Sequence, residues 1–244
     1  MEQLKIPFSD ILEILEEKKQ KRIRLLRWKS GFNEDQILFL LKITFDLTDK
    51  DFEYLIAYLL EKEWYVTSTF EKYHKGIDVE ASRNGKTLYI QCKQLSNAYI
   101  TEQKAGAFCW LVNKMINVAK PSDSFYYVTT SHVTPDAAEV FARDGIKTIS
   151  NRELLEKCKK QWLFTDTWWK DLIYYIREKR VQEVIKYRKI GASNYEEIKK
   201  SLREQRINEF KHHLPLSVRN SKSSISYFEH QWFLKVFFKY WDLA

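Results

Sequence analysis

The sequence predicts an α/β protein whose core is an α/β/α sandwich built on a mixed sheet. Residues 77–93 contain two runs of alternating apolar and polar residues around Asn84 and Gly85, the dipeptide most typical of a tight β-hairpin. This pattern predicts antiparallel strands. After Thr101, predicted helices alternate with short β-branched and aromatic runs, which indicates strands paired in parallel. A sheet with both kinds of pairing is mixed.

Each element of this core has a local signal. Residues 48–51 form a capping-box pattern ahead of an apolar helix face. Thr134 followed by Pro135 predicts the N-cap and the first residue of another helix. The other predictions are strands over 64–70, 124–130 and 146–149, helices over 101–118, 134–143 and 151–159, and C-terminal helices near 166–188, 194–211 and 223–241.

The chain divides into three predicted segments. Residues 1–47 are a helical N-terminal extension, residues 48–160 are the core, and residues 161–244 are a basic, aromatic-rich helical C-terminal region. The net charge of +8 lies entirely after Ser150. A basic excess favours a polyanionic partner such as nucleic acid, because phosphate contacts release counterions. A solvated, lysine-rich surface is the alternative.

The composition also excludes some classes of protein. No apolar run approaches the roughly 18 residues that a membrane span needs, so we expect no membrane partner. The N-terminus lacks the basic and apolar regions of a secretory signal. Cys92, Cys109 and Cys158 are too scattered for a disulfide framework and fit a reducing compartment, so we expect a cytoplasmic protein.

The hairpin brings polar groups together. A two-residue turn at 84–85 makes Val79 face Ile90, and the same register continued places Asp78 directly opposite Gln91. Opposed residues share a face of the sheet, with Cβ atoms about 5 Å apart. Lys93 lies two residues further along that face, and the apolar residues lie on the other.

These residue types suit phosphodiester hydrolysis. The carboxylate of Asp78 and the amide oxygen of Gln91 can bind one Mg²⁺, which prefers oxygen ligands. The ammonium of Lys93 can position a water or stabilise charge in the transition state. Glu53 can add a carboxylate if its helix packs beside the hairpin. Ordinary polar residues on a solvent-facing strand are the alternative.

With these residues in place, the segment of about residues 48–158 resembles the Mrr-type restriction endonucleases of the PD-(D/E)XK nuclease superfamily. The resemblance is carried by Phe52-Glu53-Tyr54-Leu55, Gly76-Ile77-Asp78-Val79 and Tyr89-Ile90-Gln91-Cys92-Lys93-Gln94. Further support comes from Val128-Thr129-Thr130-Ser131 and from residues 134–138 and 146–155.

The resemblance implies a restriction-endonuclease-like fold and a Mg²⁺- or Mn²⁺-dependent endonuclease. It implies that Asp78 binds metal, that Gln91 replaces the more common glutamate, and that Lys93 is the catalytic lysine. It also implies that Glu53 joins the site and that the main-chain carbonyl of Cys92 is a metal ligand. The sequence departs from the family at residue 75, a lysine where a small residue is common. The segments 1–47 and 161–244 lie outside the resemblance.

The same resemblance implies a role in restriction or anti-phage defence, with DNA favoured over RNA as the substrate. One such site cuts one strand, so we expect a homodimer or a complex with a targeting protein. Two alternatives stay open: a structure-specific resolvase or repair nuclease on the same core, and a non-catalytic nucleic-acid-binding or assembly subunit with a relict site. The complete set of Asp78, Gln91 and Lys93 argues against the relict.

Other residues have two interpretations each. Trp168 and Trp169 can stack on bases or pack in a core. Cys92 can be a nucleophile or a packed thiol, and the second interpretation suits its place on the apolar face. His212 and His213 are adjacent and would point about 100° apart on a helix, which does not suit a shared metal.

Overall fold

The computed structural model describes residues 8–69, 76–95, 99–115, 119–160, 166–188 and 194–210. The chain divides into two compact units, Leu26–Thr165 and a second made of Met1–Leu25 with Asp166–Ala244. The elements in chain order are α1 (Phe8–Ser30), α2 (Glu34–Asp46), α3 (Asp49–Lys62), β1 (Val66–Thr69), β2 (Val79–Arg83), β3 (Lys86–Lys93), α4 (Glu102–Met115), β4 (Ser124–Thr129), α5 (Pro135–Arg143), β5 (Lys147–Ile149), α6 (Asn151–Lys160), α7 (Asp166–Arg188) and α8 (Tyr195–Phe210).

Within the described residues, five strands form one sheet in the order β1-β2-β3-β4-β5. The pairs β1–β2 and β2–β3 are antiparallel, whereas β3–β4 and β4–β5 are parallel. The predicted mixed sheet is confirmed. The predicted hairpin register is also confirmed from Arg83 opposite Lys86 to Val79 opposite Ile90. Asn84 and Gly85 both have positive φ, 52° and 76°, as a type I′ turn requires.

Helices flank the sheet. On one side, α4 and α5 pack on β4 through a cluster that includes Phe108, Phe125, Tyr127 and Phe141. The helices α3 and α6 also pack against the sheet, α3 on β1–β3 and α6 on β4 and β5. This arrangement is an α/β/α sandwich, and it gives β3 a central position between antiparallel and parallel neighbours.

Two predicted helix starts are confirmed by their caps. The Thr48 hydroxyl accepts from the Asp51 N–H while the Asp51 carboxylate accepts from the Thr48 N–H, which is a complete capping box at the start of α3. The Thr134 hydroxyl accepts from the Ala137 N–H at the start of α5, with Pro135 in the first turn.

The second unit contains α7 and α8, which pack through a small apolar cluster of Val184, Ile198 and Leu202. Arg180 makes a bidentate contact with Glu209, at 2.8 and 2.6 Å, that joins the two helices. The predicted helix over 223–241 lies outside the described residues. None of the described helices is long and apolar enough to cross a membrane.

Candidate active site

The antiparallel ladder between β2 and β3 stops just before Asp78. The last paired residues are Val79 and Ile90. The N–H of Asp78 donates to the Ile90 carbonyl at 2.9 Å, and the N–H of Cys92 donates to Asp78 Oδ2 at 2.7 Å. In a continued ladder the Cys92 N–H would donate to the carbonyl of Ile77. The Asp78 carboxylate therefore takes the place of a main-chain acceptor beside β3.

This departure breaks the strict alternation that the sequence predicted. Ile77 packs in the cluster that contains Tyr127, although Val79 lies on the opposite side of the sheet with Ile90. Asp78 and Val79 therefore both lie opposite Ile90. This geometry, with two residues of one chain segment opposite one residue of its neighbour, is that of a β-bulge. The predicted register therefore holds as far as Val79. Asp78 contacts β3 through its main-chain N–H and its carboxylate instead of by direct pairing with Gln91.

Gln91 and Lys93 lie on the last part of β3, where β4 is the paired neighbour. Gln91 pairs with Tyr127 and Lys93 pairs with Thr129. The Lys93 carbonyl accepts from the Thr129 hydroxyl at 2.8 Å and from the Thr130 N–H at 3.3 Å. The side chain of Lys93 is exposed. Its main chain is therefore anchored while its ammonium faces solvent.

Glu53 lies on α3 and forms an ion pair with Lys50. Lys50 Nζ is 2.7 Å from Glu53 Oε2, and the side chains are only 11% and 15% exposed. Both charges act on the thiol of Cys92, and Lys50 also acts on Asp78. The N-terminal turn of α3 thus brings charge to the end of the hairpin. Lys50 was not among the predicted site residues, although its spacing of three residues from Glu53 is a signal for such a pair.

The carboxyl group of Asp78 is electrostatically perturbed. Burial raises its pKa above the ordinary value. The hydrogen bond from the Cys92 N–H and the charges of Lys93 and Lys50 act in the opposite direction, and Asp49 adds a small rise. Burial therefore outweighs these favourable contacts, and a carboxylate in such surroundings is stabilised by a nearby cation.

Cys92 is buried, and burial raises the pKa of its thiol well above the usual range. Since the thiolate is the nucleophile in cysteine chemistry, this environment favours the packed thiol over the nucleophile. Burial also raises the pKa of the Tyr127 phenol, and Asp78 contributes to that rise. Trp168 and Trp169 are likewise buried, at 6% and 4% exposure, which favours packing over base stacking.

Gly76 precedes Asp78 in a conformation that a side chain would not fit. Its φ is +74°, and a Cβ atom there would lie 2.8 Å from the methyl carbons of Leu111 on α4. Non-glycine residues rarely adopt such a φ. The approach to Asp78 therefore depends on glycine for both backbone conformation and space.

Gln94 connects this strand to α2. Its Nε2 donates to the carbonyls of Ile43 and Leu47, at 2.5 and 3.0 Å, near the end of that helix. The last carbonyls of a helix have no partner within the helix, so an external donor satisfies them. A helix that the sequence placed in the N-terminal extension thus contacts the residue that follows Lys93.

The donor set at the end of the hairpin suits a hard divalent cation. The predicted ligands are the Asp78 carboxylate, the Gln91 amide oxygen, the Cys92 carbonyl and the carboxylate of Glu53 on α3, and all would be oxygen donors. Among the described residues, no group of three or more histidine, cysteine, aspartate or glutamate side chains lies close enough together to bind a metal ion.

The mixed sheet and its flanking helices define an α/β fold of the restriction-endonuclease-like type. Residues 45–158 match the family model described as Mrr_cat, Restriction endonuclease. The match contains the whole sheet and Glu53, Asp78, Gln91, Cys92 and Lys93. This segment, somewhat less than half of the chain, is therefore similar to the Mrr-type restriction endonucleases, as the resemblance implied.

Two further comparisons add little to the family match. No curated protein matches the chain significantly. A solved structure described as "Crystal Structure of Protein of Unknown Function AF1548" is similar over 78% of this chain and 98% of its own length, at 15% identity and a TM-score of 0.38. At that TM-score the similarity does not bear on function.

Proposed function

We propose that this protein is a metal-dependent endonuclease that hydrolyses phosphodiester bonds in DNA. The observation that carries the proposal is the Asp78 carboxylate, held by the Cys92 N–H at the end of β2. It lies beside the strand that carries Gln91 and Lys93, within the segment that matches the restriction endonuclease family.

The metal would be Mg²⁺ or Mn²⁺. Asp78, Gln91 and the main-chain carbonyl of Cys92 would hold it, with Glu53 as a further ligand. A bound divalent ion polarises a phosphoryl oxygen and lowers the pKa of a water that it binds. The burial that raises the pKa of Asp78 supports this assignment, because a cation stabilises a carboxylate that has lost part of its hydration.

The protein side chains would position the metal and the attacking water. The hydrogen bond from Cys92 fixes the Asp78 carboxylate against β3, so this ligand needs little reorganisation. The anchored main chain of Lys93 restricts where its ammonium can reach. We assign Lys93 to hold the attacking water and to stabilise the charge that develops on the phosphate.

The wider role is part of the same proposal. The core over 48–160 would cut, and the extensions 1–47 and 161–244 would bind nucleic acid or a partner. A double-strand break needs two such sites, so a homodimer or a complex with a targeting protein would act in restriction or anti-phage defence. The buried, unpaired thiols of Cys92, Cys109 and Cys158 suit a cytoplasmic protein.

The test is cleavage of plasmid, linear and single-stranded DNA and of RNA, each with Mg²⁺, Mn²⁺ or EDTA. We expect metal-dependent DNA cleavage by the wild type and none above background by Asp78→Ala or Lys93→Ala. Cleavage that persists in both variants would refute the site. Normal DNA binding without cleavage of any substrate would instead favour a non-catalytic subunit.

A further inference from the structure

The ion pair between Lys50 and Glu53 is unusual in its burial. Pairs at this spacing on an exposed helix contribute little to stability. Here the two side chains are 11% and 15% exposed, and Nζ is 2.7 Å from Oε2. The ammonium also lies 5.3 Å from the ring centroid of Tyr54, one helical turn further along α3. Both charged groups have therefore lost much of their hydration. This desolvation is unfavourable unless the attraction between the two groups offsets it.

The ion pair lies on the helix that packs beside the predicted metal ligands. It lies in the first turns of α3, which packs against β2 and β3. The charge of Lys50 opposes the burial that raises the pKa of Asp78, and Lys50 and Glu53 both act on Cys92. The pair is thus electrostatically coupled to the residues assigned to metal binding.

We infer that Lys50 tunes the metal affinity of this site by holding Glu53 in an ion pair that a divalent cation has to break or share. The ammonium contacts the carboxylate oxygen that a metal would need, and two cations near one carboxylate repel each other. Lys50 is therefore a positioning residue. It keeps a buried carboxylate neutralised without metal, and it weakens binding of the first ion. This inference rests on the proposed metal site.

The test is a Mn²⁺ titration of the full chain without nucleic acid, in which the electron paramagnetic resonance signal of free Mn²⁺ measures how much of the ion is bound. We expect Lys50→Met to bind Mn²⁺ about tenfold more tightly than the wild type, because one competing charge is gone. The gain should be clearly smaller in the background of Glu53→Gln, since the ion pair is then absent and only the effect of Lys50 on Asp78 remains. Unchanged or weaker binding by Lys50→Met, or the same gain with Glu53→Gln, would overturn the inference.

A matched control exists just beyond the C-terminal end of α3, where the C-cap residue Glu63 pairs with Lys157 of α6. Lys157 Nζ is 3.0 Å from Glu63 Oε1, but these side chains are 36% and 39% exposed. Lys157→Met removes the same charge from an exposed pair, so its Mn²⁺ affinity should equal that of the wild type. If Lys50→Met does not fold, Lys50→Gln keeps a donor for Glu53, loses the charge and tests the same expectation.

A second measurement separates this inference from the proposed function. In thermal unfolding, Mn²⁺ should raise the Tm of Lys50→Met by more than it raises that of the wild type, since tighter binding to the folded state stabilises it more. Loss of Mn²⁺ binding in Asp78→Asn together with an unchanged Lys50→Met would leave the metal site standing and refute the role of Lys50. Absence of Mn²⁺ binding in both the wild type and Lys50→Met would refute both.

Discussion

Residues 86–90 of β3 lie in a regular antiparallel ladder with β2, whereas residues 91–93 of the same strand lie where that ladder has ended. In the first part, main-chain groups of one strand face main-chain groups of the other. In the second part, a side chain, the Asp78 carboxylate, accepts a main-chain N–H. Lys86 and Lys93, at opposite ends of β3, are both exposed lysines in these two environments.

The comparison shows how one strand can serve both stability and chemistry. In a regular ladder the main-chain N–H and C=O groups bond to each other, so none of them is free to bind a ligand. Where the ladder ends, polar groups still need partners, and a carboxylate that provides one is itself held in place. Substitutions in the first part should therefore change stability, and those in the second part should change activity.

The largest expected difference is between the two lysines. Lys93→Ala should lower the rate of DNA cleavage about 10²–10⁴-fold, the usual range for one positioned catalytic group. Its free energy of unfolding should stay within about 1 kcal/mol of that of the wild type, because the side chain is exposed. Lys86→Ala should cleave like the wild type. Equal losses in the two variants would mean that both lysines act only by general attraction to DNA.

A large effect on stability is expected at glycine. Gly76→Ala places a side chain at φ +74° and 2.8 Å from Leu111, whereas Gly85→Ala has φ +76° and meets no atom within 4 Å. Both should lose about 1–2 kcal/mol from the positive φ. Gly76→Ala should lose up to about 1 kcal/mol more, because the end of the Leu111 side chain has to shift to make room for the methyl group. Urea unfolding measures both, and Leu111→Ala should restore part of the extra loss.

A smaller effect is expected from the anchor of Lys93. Thr129→Val removes the hydroxyl that donates to the Lys93 carbonyl and accepts from the Ser131 N–H. Stability should fall by about 1–3 kcal/mol because buried groups lose a partner. Cleavage at saturating DNA should also fall, since Lys93 is less well held. Thr87→Val, in the regular ladder, should leave cleavage unchanged, and an equal loss there would argue against an anchoring role.

The smallest effect concerns the charge of Asp78. Burial raises the pKa of Asp78 in the folded state, so the folded protein binds this proton more tightly than the unfolded chain does. The stability that protonation provides is present below about pH 4 and is lost as the pH rises through the folded pKa. Asp78→Asn stays neutral and keeps an oxygen for the Cys92 N–H.

In EDTA at pH 7, Asp78→Asn should therefore be slightly more stable than the wild type, by about 1 kcal/mol or less, or about 2–4 °C in Tm at most. The difference should shrink towards pH 4. Asp171→Asn, an exposed carboxylate on α7, is the control and should show little change. A less stable Asp78→Asn at pH 7 would mean that the carboxylate is well compensated without metal.

Much of the fold followed from local pattern. The turn at 84–85, the capping box of α3 and the Thr134 cap depend on residues within a few positions of each other, and all three were predicted correctly. The second part of the hairpin was predicted less well. A regular ladder was extended to Asp78, because alternation carries no information about where main-chain pairing gives way to a side-chain acceptor.

The sequence by itself determined the mixed sheet, the register of the hairpin as far as Val79 and the resemblance to a family, because each depends on residue types at fixed spacing. Only the tertiary structure decided that Asp78 accepts from Cys92, that Gly76 lies against Leu111 and that Lys50 is buried with Glu53. Those contacts depend on how helices pack on the sheet and on how much water is excluded. Burial strongly changes the energy of a charged group, and only the packing of the chain decides which groups are buried.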